Sequence, residues 1–229
     1  MKNTDIGRRQ LLQTVLSGAV LGAAAQAGID LGSPQKLHAQ IGLSPDEALQ
    51  EMLTGNQRFA ANQLTSITHD LTIMKERTVN KQAPFAAVLT CADSRIPVEL
   101  VFDQTIGHIF VTRVAGNVVT PEIVASLEFG VAVLGVKALL VIGHSNCGAV
   151  KAAMTTENVP GQISVLYQRI HPAIEKSGGN IDKAIQANAR IQAELLRASS
   201  TVIREATKAG ELRVESAVYD LATGKVGLI

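Results

Sequence analysis

The sequence predicts an α/β fold: a single domain whose central, mostly parallel β-sheet is flanked by helices. Three observations carry this prediction. Short apolar runs such as "AAVL" and "ALLVI" suit strands covered on both faces. Segments with helical spacing lie between them, so strands and helices alternate along the chain. With 46% of its 229 residues hydrophobic, the chain can build one domain with a sizeable core.

Residues 1–27 read as a removable leader, not as part of the fold. They combine a polar start, the pair Arg8-Arg9, an apolar stretch from Leu11 to Ala25, and the small-residue triplet Ala25-Gln26-Ala27. The apolar stretch, about 15 residues broken by Gln13, Thr14 and Ser17, falls short of the about 20 a membrane span needs. "GRRQLLQ" resembles a bacterial twin-arginine export signal, which implies a periplasmic or otherwise exported protein with no stable membrane span after processing. Residues 28–43, with Gly28, Gly32, Ser33, Pro34 and Gly42, read as a linker or N-terminal arm, and residues 44–229 as the folded domain.

Within that domain, Ser44, Pro45 and Glu47 form a helix-start signal, and Ala48, Leu49, Met52 and Leu53 follow at helical spacing, although Gly55 weakens the continuation. "PFAAVLTC" is a buried strand ending at Cys91, and "HIFVTRV" is a second strand running into the turn "AGN". Thr120 and Pro121 open a helix that ends near Gly135; "KALLVIG" is a third strand, and "CGAVKAAM" turns back into helix. In "QISVLYQRIHPAIEK", Pro172 should kink or divide the helix. A long helix capped by Asn180 and terminated by Gly210 follows, and "ELRVESAVYDLATG" closes the chain with a strand and a turn.

Composition excludes several classes of function. The formal charge is +1, or −1 once Lys2, Arg8, Arg9 and Asp5 leave with the leader, and no basic block is present, which argues against nucleic acid as a partner. Two cysteines do not make a disulfide framework.

In a parallel sheet, ligands bind beyond the carboxyl ends of the strands. Cys91 ends one predicted strand, and His144 and Cys147 lie just past the end of another. Two thiolates and an imidazole form a soft donor set suited to zinc. With no further cysteine available, water or the Asp93 carboxylate would take the fourth position, and an open position is the catalytic arrangement. Arg95 has a physical reason to stand beside Asp93: a guanidinium can hold the carboxylate in a two-point pair and keep it off the metal. A Cys91–Cys147 disulfide would leave His144, Asp93 and Arg95 without a purpose.

These residues resemble a β-class carbonic anhydrase. The resemblance rests on "GNQRF" at 55–59, "CADSRIPVELVFD" at 91–103, "IFVTRVAGN" at 109–117, "SLEFGVAVLGVKALLVIGHSNCGAV" at 126–150 and "YDLATGKV" at 219–226. It implies a zinc-dependent lyase that hydrates carbon dioxide reversibly to bicarbonate and a proton, by hydroxide on zinc. It further implies one Zn2+ per chain on Cys91, His144 and Cys147. Asp93 would bind the metal only in a closed form, and with Arg95 would act catalytically in the open form. A homodimer as the minimum assembly, with tetramers or larger possible, and a carbon dioxide pocket near Val111 to Ala115 and around Phe85 also follow from the resemblance, as do Gly116-Asn117 and Gly148 as backbone-shaping positions near the metal. His108 and His69 are candidate proton relays. The same residues leave open a hydrolase of carbonyl sulfide or carbon disulfide, or a non-catalytic zinc-stabilised interaction module.

Overall fold

In the computed structural model, which describes residues 42–66, 78–155 and 159–229, the apolar runs are the inner strands of one five-stranded sheet. The two central strands, β1 (Ala86–Thr90) and β3 (Ala138–His144), are buried at every position. β2 (Ile109–Arg113), β4 (Arg213–Tyr219) and the short β5 (Val226–Leu228) complete the order β2-β1-β3-β4-β5. The first four pair in parallel, and β5 runs antiparallel to β4.

Because successive strand side chains point to opposite faces, the sheet divides the core in two. Ala86, Val88, Leu140 and Ile142 join one apolar cluster, while Ala87, Leu89, Leu139 and Val141 join the other. Helices α1 (Pro45–Ala60), α4 (Gly148–Thr155) and α5 (Ser164–Glu175) cover the first face. α3 (Pro121–Ala132) and α7 (Thr201–Lys208) cover the second, and α6 (Ile181–Ser199) contributes to both. No helix among the described residues is long and apolar enough to cross a membrane. The leader 1–27 and all but the end of the arm 28–43 lie outside the described residues.

The start of α1 forms as its residues require: Ser44 accepts from the Glu47 N–H, and Glu47 accepts from the Ser44 N–H. Gly55 does not end the helix. A Cβ there would lie 1.9 Å from the Phe102 carbonyl oxygen, so the glycine permits the close approach of the chain around the one-turn helix α2 (Val98–Val101). Pro172 does not divide α5, whose neighbouring residues Ile170 and Ala173 are both buried and anchor the helix on either side of it. The long helix predicted from Asn180 to Gly210 is in fact two. Ser200 caps both, ending α6 in an extended conformation and accepting from the Ile203 N–H at the start of α7, while its hydroxyl donates to Glu128 at 2.6 Å.

Asp103 ties this scaffold together. Its side chain is fully buried at a φ of +48°, paired with Arg58 of α1 at 2.5 Å and accepting from the N–H groups of Thr65 and Ser66, each at 2.8 Å. Burial pushes its carboxyl up, but Arg58, Ser66 and Thr65 outweigh that and hold it well below the usual carboxylate range. A depressed carboxyl contributes stability above its unfolded value, about 3.9, and that contribution is lost as pH falls through the folded value. Asp103→Asn should therefore cost on the order of 3 kcal/mol at neutral pH, because it leaves Arg58 without its buried partner. Denaturant unfolding should also show a shallower loss of stability in the variant than in the wild type below about pH 4.

Candidate metal centre

β1 and β3 are neighbours in register, with Thr90 opposite Ile142, so their carboxyl ends emerge side by side. Cys91 leaves the end of β1, and His144 is the last residue of β3. The chain then turns through Asn146, which takes a φ of +54°, to Cys147 immediately before α4. A Cβ on Gly148 would meet no more distant residue of the chain within 4 Å. Asn146, of a type that tolerates the left-handed region better than most residues, makes the turn.

The ligand atoms of Cys91, His144 and Cys147 lie within 4.8 Å of one another, and all three residues are buried. Both thiols are free, with their sulfurs 4.0 Å apart. Tetrahedral zinc, with Zn–S bonds of about 2.3 Å, sets two sulfurs about 3.8 Å apart, so the observed spacing suits a metal. His144 supplies a second test of fit. Its Nδ1 sits 3.0 Å from the Ser145 carbonyl and is the natural place for the ring proton, which leaves Nε2 as the bare nitrogen. That Nε2 is buried and has no hydrogen-bond partner, a costly condition that a metal would relieve. The three residues fit zinc.

The electrostatics favour an anionic sulfur. The Cys147 thiol, donating to Cys91, holds the Cys91 thiol well below its ordinary value; burial opposes this, while the N–H groups of Gly116 and Asp93 add to it. The neighbouring Cys91 thiolate, together with burial, pushes Cys147 up, against the N–H groups of Val150 and Ala149 in the first turn of α4. A divalent cation between the sulfurs would remove this conflict and favour two thiolates.

Asp93 and Arg95 stand at the mouth of the cluster. Arg95 donates from Nε and Nη2 to the two carboxylate oxygens of Asp93 at 2.9 and 2.7 Å, and its own backbone N–H donates to Oδ1 at 3.0 Å. These bonds from Arg95 hold the Asp93 carboxyl well below the usual range, against burial. Asp93 Oδ2 comes no closer than 3.8 Å to His144 Nε2, so the carboxylate is adjacent to the ligand cluster while bound to arginine. Arg95 also reaches the Asn146 carbonyl at 3.4 Å, which links the two halves of the centre.

One site feature escaped the sequence reading, and another gains detail. Arg113, at the end of β2, donates to the carbonyls of Cys91 at 3.1 Å and Asp93 at 2.5 Å, clamping the loop that carries both residues. A charged residue ending the strand beside the one that bears Cys91 was the available signal. Gly116, in the turn Ala115–Asn117, donates its N–H to the Cys91 sulfur at 3.3 Å. The expectation for Gly116-Asn117 thus gains a specific contact.

Phe85 does not belong to this site. It precedes β1 and is buried against the His108 ring, about 20 Å of extended chain from Cys91. His108 lies at that same amino end of the strands, opposite the carboxyl ends that carry the ligands, which removes it as a direct proton relay for this chain's own centre. His69 falls outside the described residues.

Comparison with known proteins agrees with this geometry. The sequence model of the family described as Carbonic anhydrase matches residues 86–226. Carbonic anhydrase 2 of Mycobacterium tuberculosis (strain ATCC 25618 / H37Rv) is 32% identical over 197 residues, covering 81% of this chain and 93% of that protein. A carbonic anhydrase of Mycolicibacterium smegmatis is 34% identical over 193 residues, with the same shares covered. The fold is similar to that in crystal structures of two tetrameric β-carbonic anhydrases from Sordaria macrospora, with a TM-score of 0.65 at 23% identity, covering 79% of this chain and 96% of that one.

Proposed function

The chain belongs to the β-class carbonic anhydrase family, and from that premise we propose that it catalyses the reversible hydration of carbon dioxide to bicarbonate and a proton. The observation that carries the reading is a buried Cys91–His144–Cys147 cluster whose neighbouring carboxylate, Asp93, is held on both oxygens by Arg95.

In this reading Cys91, His144 and Cys147 hold one zinc per chain. Zinc held there would lower the pKa of a water to about 7 and so would supply hydroxide at neutral pH. Arg95, which holds both carboxylate oxygens of Asp93, would keep that carboxylate off a metal bound by the three residues. Asp93, ionised because of that pairing, accepts a hydrogen bond from the attacking oxygen and turns its lone pair towards carbon dioxide. Arg113 fixes the backbone from which both Cys91 and Asp93 project. Carbon dioxide is small and uncharged, so little else is required of the protein than a dry approach to the nucleophile.

Residues 44–229 are the catalytic domain in this proposal, and residues 1–27 a twin-arginine-like leader that directs the folded protein to the periplasm. The relatives from Sordaria macrospora are described as tetrameric, and an oligomer with a dimer as its minimum is part of the same reading.

Zinc analysis combined with stopped-flow carbon dioxide hydration from about pH 6.5 to about pH 9 tests the proposal across the range in which a zinc-activated water ionises. One zinc per chain with rapid hydration is expected. Zinc without hydration even at the alkaline end would overturn it, and faster turnover of carbonyl sulfide or carbon disulfide would replace the substrate.

A further inference from the structure

Behind the metal centre, α6 carries a chain of buried amides whose endpoint is the turn that touches Cys91. Asn188 Nδ2 donates to the Gly116 carbonyl at 2.8 Å and lies 3.4 Å from Asn117 Oδ1. One helical turn on, Gln192 Nε2 donates to Asn188 Oδ1 and to the Arg169 carbonyl, both at 3.2 Å. Gln192 Oε1 accepts from the Val119 N–H at 2.8 Å, and Arg169 donates to the Val119 carbonyl at the same distance. Asn117, Asn188 and Gln192 are each 1% exposed, so the bonds of Asn188 and the bond from Val119 to Gln192 are made away from water, while the two that involve Arg169 are part-buried.

Buried amides are costly unless paired, and apolar residues would fill α6 more cheaply. What these amides hold is the segment from Gly116 to Val119. Gly116 has a φ of +75°, where only the lack of a side chain makes the backbone comfortable, and glycine left to itself is loose. A side chain there would be strained at this φ and would also displace Ile170 Cδ1, which lies 2.7 Å from the position of a Cβ. Its rigidity has to come from outside. Asn188 grips the carbonyl on one side of the Gly116 α-carbon, while the N–H on the other side donates to the Cys91 sulfur at 3.3 Å.

We propose that Asn188, supported by Gln192, is a positioning residue of the metal centre: by holding Gly116 it aims an N–H at the Cys91 sulfur and orients that sulfur for the metal. Outer partners of this kind are part of how a protein sets metal affinity. The inference rests on the reading of Cys91 as a metal ligand.

The test compares Asn188→Leu, which keeps the volume and removes the donor, with Leu196→Val, a core change on the same helix that removes no hydrogen bond to the 116–119 segment. Zinc affinity is measured by competition with a chromophoric chelator, and the sulfur-to-metal charge-transfer band is recorded in the cobalt(II)-substituted protein. Asn188→Leu is expected to weaken zinc binding by about tenfold or more and to shift the band. Leu196→Val is expected to lower the unfolding midpoint and leave both readouts unchanged. Wild-type affinity and band in Asn188→Leu would overturn the proposal, as would equal weakening in Leu196→Val at a matched unfolding midpoint. Should Asn188→Leu fail to fold, Gln192→Met decides: a smaller change in the same direction supports the positioning role, and wild-type readouts reject it. A wild-type chain that binds neither zinc nor cobalt would overturn the ligand reading itself, a result distinct from all of these.

Discussion

Cys147→Ala is expected to lose the metal and, with it, carbon dioxide hydration, while remaining folded. Cys147 is one of three protein donors, so its loss leaves Cys91 and His144 alone to hold a cation. Changing a residue that merely orients a ligand costs 10- to about 100-fold in affinity, and removing a ligand should exceed the upper end of that range. The fold should survive because the side chain removed is small and lies beyond the strand ends, while the two apolar clusters on the sheet faces keep every strand contact. Zinc per chain after exposure to a chelator, read beside the unfolding midpoint and stopped-flow hydration, checks each part. Full zinc occupancy in this variant would break the ligand assignment. Absent zinc with activity intact would break the mechanism.

That assignment was legible in the sequence because strand pairing does the geometric work. "CADSR" and "GHSNCG" are far apart along the chain, but each follows an apolar run that can only be an inner strand. β1 and β3 then pair directly, so the two motifs meet without any long-range device. Local signals also served where the cause is local: Ser44 and Glu47 close their reciprocal cap within one turn of helix. What escaped was whatever depends on a partner distant in the chain. Arg113 is an ordinary strand-end charge until β2 is laid beside β1, when its guanidinium meets the carbonyls of Cys91 and Asp93. Asn188 and Gln192 resemble solvent-facing helix residues until α6 is packed down onto the 116–119 turn. Ser200 divides a helix whose hydrophobic spacing runs on unbroken; it caps the second half, and its hydroxyl donates a hydrogen bond to Glu128, 72 positions earlier. Phe85 erred in the opposite direction: its neighbour in sequence is the site-bearing strand, but it lies at the end that faces away from the metal.

Asp93→Ala should show the complementary outcome, retaining zinc while turnover falls. The structure offers two readings of the Asp93–Arg95 pair, and their consequences diverge. If the pair only braces the turn, its contribution is small: the Arg95 side chain is 52% exposed, and exposed ion pairs stabilise by about 0–1 kcal/mol. Its removal would then lower the unfolding midpoint slightly and leave turnover alone. If Asp93 accepts a hydrogen bond from the attacking oxygen, its loss removes a proton-handling group at the reacting centre, worth about 100-fold or more in kcat/KM. The Asp93 carboxyl is held well below the usual range by Arg95, so in the wild type it stays ionised throughout the neutral and alkaline range. No protonation of free, Arg95-paired Asp93 should therefore appear in the rate profile above about pH 4. Arg95→Met separates the remaining roles. Released from its guanidinium, the carboxylate is free to cross the 3.8 Å that now separates it from His144 Nε2 and to compete for the metal. That variant should keep zinc and recover hydration only as pH rises and hydroxide displaces the carboxylate. A wild-type rate profile in Arg95→Met, with zinc bound, would show that the arginine restrains nothing.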